Sequence, residues 1–251
     1  MSNTKDIVLF ESGMFMLKGE NGSGKTAAAG AFHKHKTGKI YFFDIDGKMD
    51  TIKHMYPNAD VEYDFYGLHN FDQLLVKLEG LQHNCPYDVV VLDSFTSLSM
   101  TIVNNSLNKK SSGGKAIQGV QVPTWDEINV ETAMLGKMLD ICKILSVHKK
   151  KIVIWTAHPI SKTEIVGGAT VRSRPITCYG NKIGSIAPSY FSEIYNFTVE
   201  KTSMKAGDPL TRVCYTQNQG EDFAKSALGL PPRMEWTGKN FYDLLSSNVK
   251  R

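Results

Sequence analysis

The chain has 251 residues, of which 41% are hydrophobic and 22% charged; that is enough apolar material for one substantial globular unit and too ordinary a mixture for a largely disordered chain. A formal charge of +4 permits a nucleic-acid partner without requiring one. Cys85, Cys142, Cys178 and Cys214 stand far apart with no CxxC pair, so neither a sequence-local zinc site nor a disulfide framework is indicated.

In chain order, MSNTKDIVLF offers neither a basic n-region nor a long apolar h-region, and no later stretch reaches the roughly 18 apolar residues of a membrane span. The expectation is a soluble, unexported protein of the cytoplasm, the host cytoplasm if the source is viral, with no membrane partner. MFMLKG (14–19) reads as a short strand ending at a glycine, and Thr26 to Lys36 as a helix stopping near Gly38, where glycine takes the left-handed cap conformation. KIYFFDID (39–46) is a second buried strand with its acids at the carboxyl end. NFDQLLVKLEGLQHN (70–84) carries leucines at helical spacing. YDVVVLD (87–93) is apolar on both faces, as a central parallel strand must be.

A long helix is predicted from about Thr124 to Val147, with Thr124 and Glu127 at capping-box spacing and Leu135, Met138, Leu139, Cys142 and Leu145 on one face. KKIVIWTAH (150–158) is a fourth strand, and EIYNFTVEK (193–201) and TRVCYTQN (211–218) supply two more. LPPRMEWTGKNFYDLL (230–245) reads as a turn at Pro231 and Pro232 followed by a small amphipathic helix. Alternating strands and helices predict an α/β fold, a mainly parallel central sheet with helices on both faces. Two stretches break the rhythm, 104–121 and 161–185, both rich in Gly, Ser, Lys and Arg. Irregular segments of that length inside a compact unit are usually functional.

The chemistry centres on GENGSGKT (19–26), which fits G-x-x-x-x-G-K-[ST] completely and lies between a strand and a helix. Gly19, Gly22 and Gly24 let the backbone N–H groups of a loop that also contains Glu20, Asn21 and Ser23 turn inward on phosphates, aided by the following helix amino terminus. Lys25 then reaches the β- and γ-phosphates of ATP, and the Thr26 hydroxyl ligates Mg²⁺. Such a loop needs an acid on the magnesium side, held rigidly at the tip of a buried strand; Asp93, ending YDVVVLD, meets that requirement. No glutamate follows Asp93, so the residue that orients the attacking water comes from elsewhere, with Asp44 and Asp46 as the candidates. An EF-hand reading of FFDIDGKMD fails, because its glycine is misplaced and the twelfth position is Met55. His158, ending IVIWTAH, is a polar residue at another strand tip and a candidate γ-phosphate sensor.

Taken in order, GENGSGKT, FFDIDGKMD, VVVLDSFTSL and IVIWTAH resemble the ATPase core of the RecA superfamily, and within it the compact bacteriophage annealing and recombination proteins of the Sak group. The resemblance covers about residues 12–200 and implies a single RecA-like P-loop NTPase domain over 1–251, with a C-terminal strand and small helix in 201–251. It matches Asp46 to the family's catalytic glutamate and His158 to its glutamine sensor. Both are departures, so slow or geometrically altered hydrolysis is expected. It also places DNA-binding loops after the Asp93 and His158 strands. That assigns Lys109, Lys110 and Lys115 in one loop, and Lys162, Arg172, Arg174 and Lys182 in the other, to backbone phosphates of single-stranded DNA, and Tyr179 to base stacking. The family further implies assembly as a ring or filament and a single-strand-binding protein as a further partner. No arginine is evidently placed beside the ATP site, and the resemblance matches Lys201 and Lys205, just after EIYNFTVE, to the region from which RecA-type proteins reach into a neighbouring subunit's site, which makes them the candidates for a finger in trans. A helicase-like, loader or packaging motor, and a small-molecule P-loop kinase with Arg172 and Arg174 in its lid, remain as alternatives.

Overall fold

The computed structural model describes residues 10–109, 116–117, 120–167, 169–201 and 210–249. In chain order the strands are β1 (Gly13–Gly19), β2 (Ile40–Asp44), β3 (Val61–Phe65), β4 (Val89–Asp93), β5 (Ala116–Ile117), β6 (Val120–Gln121), β7 (Ile152–Ala157), β8 (Lys162–Val166), β9 (Ala169–Ser173), β10 (Glu193–Lys201), β11 (Leu210–Tyr215) and β12 (Arg233–Trp236). The α-helices are α1 (Lys25–Gly30), α2 (Met49–Met55), α3 (Phe71–His83), α4 (Phe95–Lys109), α5 (Trp125–Val147), α6 (Asn181–Ile186) and α7 (Phe241–Asn248).

Eight strands form one sheet in the order β12-β11-β10-β1-β7-β4-β2-β3. From β10 to β3 every pairing is parallel, and β11 and β12 add an antiparallel edge. Because β7 is inserted between β1 and β4, the carboxyl ends of β1, β7, β4 and β2 stand side by side. This arrangement brings residues far apart in sequence to one rim of the sheet, where ligands of open α/β sheets bind.

The side-chain alternation of the strands sorts the core into two layers. Met14, Met16, Tyr41, Phe43, Val90, Leu92, Val153 and Trp155 face α3, α4 and α5, while Phe15, Leu17, Ile40, Phe42, Val89, Val91, Ile152 and Ile154 face α1, α2 and α7. The capping box predicted at the start of α5 is formed, with the Thr124 N–H donating to Glu127 Oε2 at 2.6 Å.

The structure departs from the sequence expectations where tertiary packing intervenes. The helix expected over 26–36 is α for only six residues and then tightens into a 3₁₀ turn over Ala31–Lys34. At that change a Cβ on Gly30 would lie 2.6 Å from Ile52 and 2.9 Å from Tyr56, so α2 presses directly on the backbone. The segment 104–109, expected to be irregular, continues α4. Its Asn- and Ser-rich text has weak helix propensity, and burial of Phe95, Leu98, Ile102 and Val103 holds the helix instead. The 161–185 stretch contains an antiparallel hairpin, β8–β9, and the short α6. The strands β3 and β12 and the helix α2 are not among the elements expected from the sequence: VEYDF and RMEW alternate apolar and polar residues, but over only five and four positions, and α2 is seven residues long. β3 is an edge strand with four of its five residues exposed, among them Tyr63 and Phe65.

Glu131, on α5 and fully buried, ties the region after the hairpin to the helical layer. It accepts the Ser99 hydroxyl of α4 at 2.5 Å and the N–H groups of Tyr179 and Gly180 at 3.2 and 2.6 Å. Glu131→Ala leaves the buried Ser99 hydroxyl and Gly180 N–H without this acceptor, while the Tyr179 N–H keeps the Ser99 hydroxyl oxygen at 3.2 Å, and the expected cost is about 2–4 kcal/mol of unfolding free energy, read from the denaturant midpoint. An unchanged midpoint contradicts this staple.

Candidate nucleotide site

The loop after β1 is shaped by close approach. A Cβ on Gly19 would lie 2.3 Å from the Phe197 carbonyl of β10, and Gly24 has φ +96° with a Cβ position 2.7 Å from Trp236, so both positions require glycine. The Ser23 hydroxyl closes the loop onto the Glu20 carbonyl at 2.8 Å. Lys25 is 5% exposed, and its Nζ donates to the Gly19 and Glu20 carbonyls at 2.8 and 2.9 Å. Burial, with the nearby Lys48 charge adding to it, pulls the Lys25 pKa down to about 8; Asp93, Asp46 and Glu20 offset part of that effect.

Asp93, 2% exposed at the tip of β4, accepts the Thr26 hydroxyl at 2.7 Å on one oxygen and the Thr156 hydroxyl of β7 on the other. One hydroxyl and one carboxylate in contact form the kind of donor pair that holds Mg²⁺ together with phosphate oxygens and water. The residues therefore fit a magnesium–nucleotide complex. His158, at the adjacent tip, places Nδ1 3.4 Å from Lys25 Nζ, and its N–H donates to Thr96 at 3.2 Å.

The two candidate acids after β2 separate cleanly. Asp44 Oδ1 accepts the N–H groups of Gly47 and Lys48 at 2.8 and 3.1 Å, so it builds the turn; burial pushes its pKa up. Asp46 faces the site, 2.6 Å from Lys48 Nζ, 3.4 Å from the Ser94 hydroxyl and 4.0 Å from His158 Nε2. Burial acts to raise the Asp46 pKa, but the donors His158, Lys48 and Ser97 and the Lys48 charge outweigh it and hold the carboxyl well below its usual range. A cavity of about 470 Å³ adjoins the loop, walled by Lys25, Thr26, Lys48, Thr51, Met55 and Arg212 among others.

A family model described as an AAA domain matches residues 12–228. The chain belongs to the AAA-domain family. No curated protein matches it. The family is one of P-loop NTPases, in keeping with the mainly parallel sheet and the loop geometry. Among the described residues, no helix of this AAA domain is long and apolar enough to cross a membrane.

The residues assigned to DNA are placed less uniformly. Lys110 and Lys115, and the finger candidate Lys205, lie outside the described residues. Lys109 ends α4 and pairs with Asp72 at 2.7 Å. Lys162 pairs with Glu164 at 2.7 Å, and Arg172, opposite Thr163, lies on the other face of the hairpin. Tyr179 is 45% exposed and Lys182 and Lys201 are exposed. Arg174 departs from the expectation: it does not extend from a loop but folds back on the nucleotide loop, pairing with Glu20 and, at 2.9 Å, with Asp222. The expectation that no arginine stands beside the site is likewise corrected, by Arg174 and by Arg212 of β11. Sequence reasoning also missed Thr156, Thr96 and Lys48. The first two are hydroxyls flanking strand tips, a weak but readable signal. Arg212 has no local signal, because only the sheet order brings β11 to the loop.

The lowered Lys25 pKa has a measurable consequence. Phosphate charge favours the ammonium form, so above pH about 8 nucleotide binding takes up a proton, and affinity for MgATP falls by up to about tenfold per pH unit. In the free protein the sign is opposite. The depressed pKa means that the unfolded chain binds the extra proton between about 8 and the ordinary lysine value of 10.5, so this group's contribution to stability rises with pH across that window. Titration calorimetry from pH 7 upward tests the first statement, and a flat affinity contradicts it.

Proposed function

We propose that this AAA domain hydrolyses ATP with Mg²⁺ and acts on single-stranded DNA in recombination or strand annealing, as a RecA-like ATPase assembled in a ring or filament. The observation that carries the reading is the meeting of Lys25, Asp93, Asp46 and His158 at neighbouring strand tips, with a hairpin emerging directly from the His158 strand. Lys25 holds the β- and γ-phosphates, Thr26 and Asp93 hold the metal, and Asp46 orients water. A carboxyl kept this acidic is a hydrogen-bond acceptor for water more than a strong base, which agrees with slow turnover. Asp46→Asn keeps the shape and removes the charge; nucleotide still binds while phosphate release falls by about 10²-fold. Asp44→Asn affects the turn and leaves the chemistry near parent level. If the Asp44 variant alone loses turnover, the assignment of Asp46 is wrong.

Support for a nucleic-acid role comes from the hairpin. Arg172 shares a face with Thr163, Ile165 and Thr170, a face without a carboxylate, and Ile165 is 79% exposed. The base of the hairpin connects to the nucleotide loop through Arg174 and Glu20, and to His158 through the Thr177 N–H, which donates to the His158 carbonyl at 2.8 Å. The engagement of Arg174 with two carboxylates argues against the kinase alternative, which needs that arginine over a transferred phosphate. Arg172→Ala is expected to weaken single-strand binding and to reduce the salt slope by about 0.7, one phosphate contact. Lys162→Ala, already neutralised by Glu164, changes it less. Fluorescence anisotropy with labelled single strands across a salt series reads both; an unchanged slope for Arg172→Ala removes the hairpin from the DNA reading.

A further inference from the structure

Arg212 is the side chain that the nucleotide reading leaves unexplained. It lies on β11, two strands away from β1, opposite Val199 of β10 on one side and Trp236 of β12 on the other. Its stem packs on the nucleotide loop, with Cδ 3.3 Å from where a Cβ on Gly24 would lie, next to the buried Trp236 ring. Arg174 and Arg233 are each held by two carboxylates. Arg212 makes no ion pair among the described residues, and it lines the cavity.

The cavity has two chemically different ends. One is the phosphate end, with the loop backbone, Lys25 and Thr26. The other is lined by Met55 and Arg212, which both approach Gly238: a Cβ there would lie 3.1 Å from Met55 Cε and 4.0 Å from Arg212 Nη1. Met55 and Arg212 therefore converge on one place from α2 and from β11. A polarisable, flexible thioether and a planar guanidinium are both suited to packing on an aromatic ring. No carboxylate lines the cavity among the described residues, so no charged acceptor is present to select the N–H donors of a guanine.

We infer that Arg212, with Met55, holds the nucleoside portion of a purine nucleoside triphosphate by stacking, and that this AAA domain consequently discriminates weakly between adenine and guanine. The inference rests on the nucleotide-binding reading and adds to it the residue that grips the base and the breadth of substrate. It also gives the antiparallel edge a role: β11 and β12 complete the nucleotide site from within the same chain.

The test compares binding of MgATP, MgGTP and magnesium tripolyphosphate to the parent, Lys25→Ala, Arg212→Ala and Arg212→Lys by titration calorimetry. Tripolyphosphate has no base, so it reports on the phosphate end alone and on whether the variants are folded. Parent affinities for ATP and GTP should lie within about a hundredfold. Arg212→Ala should weaken both by about tenfold while tripolyphosphate binding stays at parent level, and Arg212→Lys, which keeps the charge but not the plane, should behave like Arg212→Ala. Undiminished ATP affinity in Arg212→Ala overturns the inference. An equal loss for tripolyphosphate also overturns it, by making Arg212 a phosphate contact, and a larger base preference overturns the weak discrimination. Lys25→Ala should lose all three ligands. A parent that binds none of them overturns the nucleotide reading itself, an outcome distinct from any failure at Arg212.

Discussion

The site depends on one buried carboxylate. Asp93 sits at the tip of β4 with almost no exposure and takes a hydroxyl on each oxygen, Thr26 from the start of α1 and Thr156 from β7. A carboxylate in that position is costly to bury unless both oxygens are satisfied, so the two threonines and the aspartate fix one another. They also fix the spacing of three elements. β7 must lie between β1 and β4, α1 must begin over the tip of β4, and the Asp93 carbonyl, accepting the Ile45 N–H at 2.9 Å, draws in the end of β2. Once those distances are set, Lys25, His158 and Asp46 have little freedom to be elsewhere.

A second layer of charge surrounds this centre. Lys48 joins Asp46, Arg174 joins Glu20 and Asp222, and Lys18, buried beneath them, donates to the Arg174 carbonyl at 3.1 Å and lies 3.4 Å from Asp222. Burial lowers the Lys18 pKa while Asp222 works to restore it. Ion pairs of this kind contribute little net stability when exposed and are demanding in geometry when buried. Their effect here is positional: they tie the nucleotide loop to the segment that leaves the β8–β9 hairpin at Arg174.

The antiparallel edge formed by β11 and β12 acts from the opposite side. Trp236 presses on Gly24, and the single O–H of Tyr56, in the turn after α2, is shared between the carbonyls of Ala27 and Gly238 at 2.9 and 2.8 Å. The loop is thus held between the C-terminal strands and α2, which leaves Gly24 no room for a side chain and gives the cavity walls drawn from distant parts of the chain.

The sequence alone determined the elements whose signal is local. GENGSGKT between an apolar strand and a helix, VVVLD, IVIWTA and the capped α5 are each legible because periodicity, glycine placement and capping are properties of neighbouring residues. Tertiary structure alone decided the rest. α4 forms through a weakly helical text because its apolar face is buried, and α1 is cut short because α2 presses on Gly30. Asp44 and Asp46, alike in their local text, divide into a turn acceptor and a site acid because the strand ends at Asp44, whose carboxylate the Gly47 and Lys48 N–H groups claim, while Asp46 lies beyond the strand beside Lys48 and His158. Arg174 leaves the hairpin for Glu20, and Arg212 reaches the nucleotide loop, through pairings that span more than 150 residues. Such contacts are set by the order of strands in the sheet, which no local pattern in the chain encodes.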